Sequence, residues 1–217
     1  MKRLDELAEI RTGYPFRGRI ERVECGGCRL VQMGDVRADR AEVTDNLVRV
    51  EAPSNWQRHI LNHGDVLFVG RGVRNEAATF VAEAMDVIAA PHLFVLRVRA
   101  DDVRFSAYLT WFLNLPETQA LIRTFRSGSA VPFVPRDAFA RLEVPLPSPE
   151  MRNRIDIINQ LRQREQRLLD EISERRRRLI DGLMREAIRR ESEATRPPAV
   201  DGVSTGHGNE QILFKTT

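Results

Sequence analysis

The sequence predicts an α+β protein: one mixed α/β globular domain, then a long coiled-coil-like C-terminal helix, then a disordered tail. Three observations predict it. Strand-like and helix-like runs follow one another irregularly up to residue 148, without a repeating βαβ spacing. Prolines Pro145, Pro147 and Pro149 then close that region. Residues 150 to 192 contain no further proline and only Gly182 as a glycine. The expected boundaries are 1–148 for the globular domain, 149–192 for the helix and 193–217 for the tail.

Taken in order, LDELAEI places Leu4, Leu7, Ala8 and Ile10 on one helical face. TGYPFRG follows, and Gly13, Pro15 and Gly18 forbid regular helix there. RLVQMGDV is a short strand closed by Gly34-Asp35, and HGDVLFVGRG repeats that grammar: a turn at Gly64-Asp65, a strand from Val66 to Val69, then a Gly-Arg-Gly loop. Further strands are expected at ATFVAEA and LFVLRVRA, the latter alternating Phe94, Leu96 and Val98 against Val95, Arg97 and Arg99. FSAYLTWFLNLPETQALIRTF reads as two helices punctuated by Pro116. Tyr108, Leu109, Phe112 and Leu113 share a face on the first, and Leu121, Ile122 and Phe125 form a face on the second. A Gly128 loop and a strand around Leu142 to Leu146 complete the domain.

A continuous helix over 150 to 192 extends roughly 60 Å at about 1.5 Å per residue. Ile155, Ile158, Leu161, Leu168, Ile172 and Leu179 lay an apolar stripe along it, interrupted by Glu165 and Arg175. Such a stripe calls for a partner: the domain itself, a second copy, or another subunit. The tail is polar and rich in Gly, Pro, Ser and Thr, a composition that buries too little to fold.

The net charge of +3 on 217 residues makes the chain no general sponge for polyanions. Lys2 and Lys215 are the only lysines, so nearly all of the base is arginine. A G+C-rich genome explains that usage; so does arginine's fitness for bidentate contacts to phosphate and guanine. Two cysteines fit a reducing compartment rather than a disulfide framework. MKRLDELAEI lacks the apolar stretch of a secretory signal, and no window is apolar enough to span a bilayer. A soluble, cytoplasmic protein is expected.

The tools of catalysis are missing. Cys25-Gly-Gly-Cys28 has the spacing of a metal or redox pair, and His59 and His63 the HxxxH spacing, but zinc requires all four to converge. Gly-Gly between two strand-like runs is also what a hairpin turn needs, and that is the expected role. No acid-x-Lys nuclease element can be built from lysines at 2 and 215 alone. The only Pro-Pro, Pro197-Pro198, lies in the tail rather than in an Asp/Asn-Pro-Pro-aromatic loop. GxxxxGK and GxSxG are absent, and His92 beside Pro91 reads as a core or edge residue. No catalytic residue and no metal ligand is expected.

Three loops instead combine glycine, aromatic, arginine and hydroxyl residues. They hold Tyr14, Phe16, Arg17 and Arg19; then Arg71 and Arg74; then Arg126, Ser127 and Ser129. Glycine lets backbone approach phosphate, and arginine reaches phosphates or base edges. For any one loop, aromatic core anchors and solvated arginines explain the same residues; three loops of one composition shift the group toward nucleic-acid binding.

The order "LDELAEIRTGYPFRG", "LVQMGDV", "LNHGDVLFVGRG", "YLTWFLNLPETQALI", "SGSAVPFVPRDAFARLEVPLPSPEMRNRI" and a long helix, across residues 4 to 185, resembles one target-recognition domain of the specificity subunit of type I restriction-modification enzymes. The resemblance implies a subunit that reads double-stranded DNA, has no catalysis and binds no cofactor of its own. It implies an adenine methyltransferase partner, which carries S-adenosylmethionine, and in many systems a restriction/translocase subunit. The usual subunit has two recognition domains and two spacer helices, whereas this chain has one of each. Short members of that kind are expected to pair through the helix, giving a homodimer that reads a palindromic bipartite site. "SPEMRNRI" also departs from the family's Glu-Gln pair before Arg-Ile, because Met151 follows Glu150. That segment lies near the partner subunits in the family. The competing expectation is a protein-interaction scaffold or decoy in a defence system, built on a degenerate recognition domain.

Overall fold

The computed structural model describes residues 1–194 apart from 17, 19, 39–41, 44–46, 83 and 100–102. The chain opens with β1 (Lys2–Arg3), α1 (Leu4–Leu7) and β2 (Ala8–Thr12). β3 (Cys28–Val31), β4 (Glu42–Val43), β5 (Val48–Val50), β6 (Val66–Val69), β7 (Ala77–Phe80), β8 (Val87–Ala89) and β9 (Leu93–Val98) follow. Then come α2 (Val103–Leu113), α3 (Pro116–Thr124), α4 (Arg136–Ala140), β10 (Glu143–Val144) and α5 (Pro149–Ala194). The fold is mixed α and β with a long C-terminal helix, as the sequence predicts. Two compact units are formed, Met1–Leu168 and Leu169–Thr217, and α5 contributes to both.

Three layers of apolar packing build the first unit. A five-stranded sheet in the order β2-β9-β6-β7-β4 lies at its centre, antiparallel except for the β4–β7 pair. β6 is apolar at every position because both its faces are covered. Val66 and Phe68 face α2 and α3 together with Phe94 and Leu96 of β9, whereas Leu67 and Val69 face the other way with Leu93 and Val95. That second face packs on Val31, Val87 and Ala89 of a three-stranded sheet ordered β5-β3-β8. Cys28, Leu30, Val50 and Ile88 point to the far side of the small sheet, where Tyr14, Phe16 and Trp56 cover them.

Polar pairs lock these layers. The Thr79 and Thr110 hydroxyls bond at 2.8 Å between β7 and α2, and the Asn114 side chain pairs with both backbone groups of Ala77, at 2.9 and 2.8 Å. Asp65, 2% exposed, accepts from Arg97 Nε at 2.9 Å and Nη2 at 2.8 Å and from the Asn62 N–H at 2.8 Å. The hydrogen bonds to Asp65 hold the Arg97 guanidinium firmly protonated. On the small sheet Arg29, with Arg49 at 3.5 Å, draws the Asp86 carboxyl below the usual aspartate range; the Arg29 hydrogen bond is the largest cause.

Several expectations are corrected. The helix read over LDELAEI covers only Leu4–Leu7, because Ala8 and Ile10 also satisfy a period of two. Five-residue antiparallel pairing of β2 with β9 decides in favour of strand. The strand expected from Leu142 to Leu146 shrinks to Glu143–Val144, whose partner β1 has only two residues. On α3, Ile122 is buried but Leu121 is 45% exposed, so the predicted face is half formed. Cys25-Gly-Gly-Cys28 is a turn, with Gly26 and Gly27 at φ 71° and 64°, but not one joining two mutually paired strands. Arg22 and Cys28 both pair with Val50, so the turn crosses the end of β5, and a Cβ on Gly27 would lie 2.0 Å from the Val50 carbonyl oxygen. The β6, β7 and β9 expectations hold, as do the helix pair broken at Pro116 and the buried face of Tyr108, Leu109, Phe112 and Leu113. The tail expectation lies outside the described residues from 195 onward.

Candidate nucleic-acid interface

Two of the three loops singled out in the sequence come together. β6 runs into the loop Gly70–Glu76, and the segment after α3 folds back beside it. The Ser127 and Phe133 backbones exchange two hydrogen bonds of 2.9 Å. The Gly72 N–H donates to the Pro132 oxygen and the Val134 N–H to the Gly70 oxygen, both at 2.8 Å. Gly128 turns this hairpin at φ 89°, where a Cβ would press to 3.0 Å from the Val131 oxygen.

Buried polar side chains pin the same loops from below. Asn75, 1% exposed, donates from Nδ2 to the Val69 oxygen at 2.8 Å, and its backbone oxygen accepts from Gln119 Nε2 of α3 at 2.6 Å. Arg126 donates from Nε to Asn75 Oδ1 at 2.8 Å and from Nη2 to the Val73 oxygen at 2.9 Å. Arg126 is therefore half-buried and largely committed to the loop it supports. Arg71, Arg74, Ser127 and Ser129 are exposed. Among the described residues no ion pair engages Arg71 or Arg74.

Two shallow grooves adjoin at Arg71. One, of about 460 Å³, is lined by residues including His92, Val131, Phe133 and Arg136. The other, of about 350 Å³, is lined by residues including Met33, Arg37, Val73 and Arg74. Met33, Val131 and Phe133 carry no charge or hydrogen-bonding motif, so sequence reading passes over them. Phe133, between Pro132 and Pro135, is 44% exposed. His92 is exposed on this rim, where the sequence reading expected a core or edge residue.

The first loop packs on the small sheet. Tyr14 and Phe16 are half-buried on the small sheet, with ring centroids 5.0 Å apart. The Tyr14 hydroxyl donates to the Ser54 oxygen at 2.8 Å, and its ring meets His59 edge-on at 5.0 Å. Burial, then the nearby Arg11, lowers the His59 pKa and favours its neutral form. A cavity of about 720 Å³ opens beside Tyr14, Phe16, Asn55, Arg58 and His59. Arg17 and Arg19 lie outside the described residues.

Among the described residues no cluster of His, Cys, Asp or Glu could hold a metal ion. Cys28 is buried and Cys25 exposed; burial, with Asp86 beside it, raises the Cys28 thiol pKa. No described helix is long and apolar enough to cross a membrane.

The predicted helix residues divide. Ile155 packs against the core of the first unit, where Arg152 also lies 5.4 Å over the Phe105 ring. Ile158, Leu161 and Leu168 are exposed in that unit, and Ile172 and Leu179 are exposed in the second. Leu169, Leu183 and Ile188 extend the exposed apolar set, flanked by ion pairs such as Arg175–Glu171 at 2.6 Å and Arg178–Glu174 at 3.1 Å.

No family model matches the chain, and no curated protein does. Solved structures do. A chain from work on the complex assembly and conformational transition of the type I R-M system aligns with a TM-score of 0.56 at 20% identity, over 83% of this chain and 42% of its own length. The HsdS subunit from Thermoanaerobacter tengcongensis gives a TM-score of 0.49 at 20% identity, over 78% and 38%. The type I restriction-modification S subunit from M. genitalium gives 0.40 at 10% identity, over 72% and 37%. The first of these shows a fold shared with a chain of a type I R-M system. This chain spans about two fifths of the length of the chains it matches.

Proposed function

We propose that this chain is a sequence-specific DNA-binding specificity subunit, without catalysis of its own, that directs an adenine methyltransferase to a bipartite target. The observation that carries the reading is the pinned loop pair presenting Arg71 and Arg74 outward, with no ion pair among the described residues, on a fold shared with a type I R-M chain. Arginines held at a fixed spacing suit phosphates and guanine edges. S-adenosylmethionine belongs in the methyltransferase partner, and a restriction/translocase subunit can join the same assembly.

Two copies pairing through α5 would supply two reading units. Identical units related by a twofold axis read identical half-sites, so the target is palindromic. The exposed Ile158, Leu161, Leu168, Ile172 and Leu179 support this pairing, because an apolar stripe on a helix seeks a partner.

The test is DNA affinity across a salt series with the full chain. Binding should weaken steeply with salt, and Arg71→Ala and Arg74→Ala should each reduce the magnitude of the log–log slope by about one. A wild-type chain that ignores DNA, or variants with unchanged slopes, would favour the scaffold reading, in which only the helix has a partner.

A further inference from the structure

We infer that Val73, Val131 and Phe133 form the base-reading edge of this interface, contacting base edges and above all the thymine methyl group, while Arg71 and Arg74 hold the flanking phosphates. The inference rests on the DNA-reading role proposed above and deepens it by assigning sequence choice and affinity to different side chains.

Val73 is 74% exposed, Val131 48% and Phe133 44% on loops that border Arg71, and Met33, at the start of a short 3-10 helix beside them, is 40% exposed. Scattered apolar residues on a surface need no explanation, but a group on one rim does. Fraying does not account for it. The Ser127–Phe133 pair, the Gly72–Pro132 and Val134–Gly70 bonds and the Arg126 clamp on the Val73 oxygen tie the two loops together at their bases. The side chains are thus presented outward by backbone that is itself held.

Charge selects the occupant. Arg71 and Arg74 stand on the same loop as Val73, and Arg37 borders the same groove. The carboxylate that lines this groove, Glu76, already accepts the Ala38 N–H at 3.2 Å, and Asp35 beside Gly34 accepts the Gln32 N–H at 2.7 Å. An apolar ridge between outward arginines complements a polyanion that carries apolar groups, and the major groove of DNA offers the thymine methyl between two phosphate rails. Arg126 then acts as a positioning residue, setting Val73 through its carbonyl rather than touching DNA.

The test selects from a random library of double-stranded DNA, using the full chain purified with whatever subunits accompany it from its own cells. Phe133→Ala and Val73→Ser alter exposed side chains, and unchanged melting temperatures certify the fold. Each should lose discrimination at one or two positions of the selected site, by roughly 5- to 150-fold, with the salt slope unchanged. Arg71→Ala should weaken all sequences alike and leave the selected site the same. Variants at Phe133 and Val73 that select the wild-type site, or that weaken every sequence equally, would overturn the inference and leave the DNA-reading role standing. A wild-type chain with no sequence preference would overturn both.

Discussion

At the scale of single residues, the arginines divide by what their guanidinium groups already hold. Arg97 is spent on buried Asp65, Arg126 on Asn75 and Val73, and Arg29 on Asp86, whereas Arg71 and Arg74 face outward. The Arg29–Asp86 pair gives a pH-dependent consequence. The folded pKa of Asp86 lies below its unfolded value, so the pair stabilises the fold fully above about pH 4, and that contribution fades as pH falls through the folded value. Asp86→Asn should therefore cost about 1–2 kcal/mol near neutrality and much less in acid, the pair being charge-assisted and partly buried. Thermal melts of both proteins at pH 7 and pH 3 check this. A gap that stays constant with pH would contradict it.

At the scale of elements, legibility followed length and punctuation. β6, β9 and α5 carry long apolar runs or lack breakers, and α2 and α3 are separated by Pro116, so pattern alone finds them. β1, β4 and β10 have two residues each and β8 three; tertiary pairing makes them strands, and a period cannot be read from two positions. α4 hides in RDAFA behind Pro135. The site was half legible for the same reason. The run Gly70-Arg71-Gly72-Val73-Arg74 marks both arginines, but the Arg126–Asn75 bond joins positions 51 apart in sequence, and nothing local announces it. The helix supports a prediction of its own. Leu161→Lys with Leu168→Lys should convert a dimer in sedimentation to a monomer without loss of the first unit's fold, since both side chains are exposed there. A dimer that persists would move the pairing surface off this stripe.

At the scale of the whole molecule, a small unit sealed on both faces of its central sheet presents one pinned, arginine-bearing rim. Its closing helix carries apolar side chains that the described residues do not cover. Fold alone does not dictate function, and it is the rim and the stripe that turn a shared architecture into a reading of role. Identical subunits joined through α5 would read both halves of a site with one set of loops. The most direct measurement is genome-wide adenine methylation, by long-read sequencing of native DNA from cells with and without this gene. Loss of methylation at one bipartite, palindromic motif is the predicted result. An unchanged methylome in cells that express the chain would contradict the account.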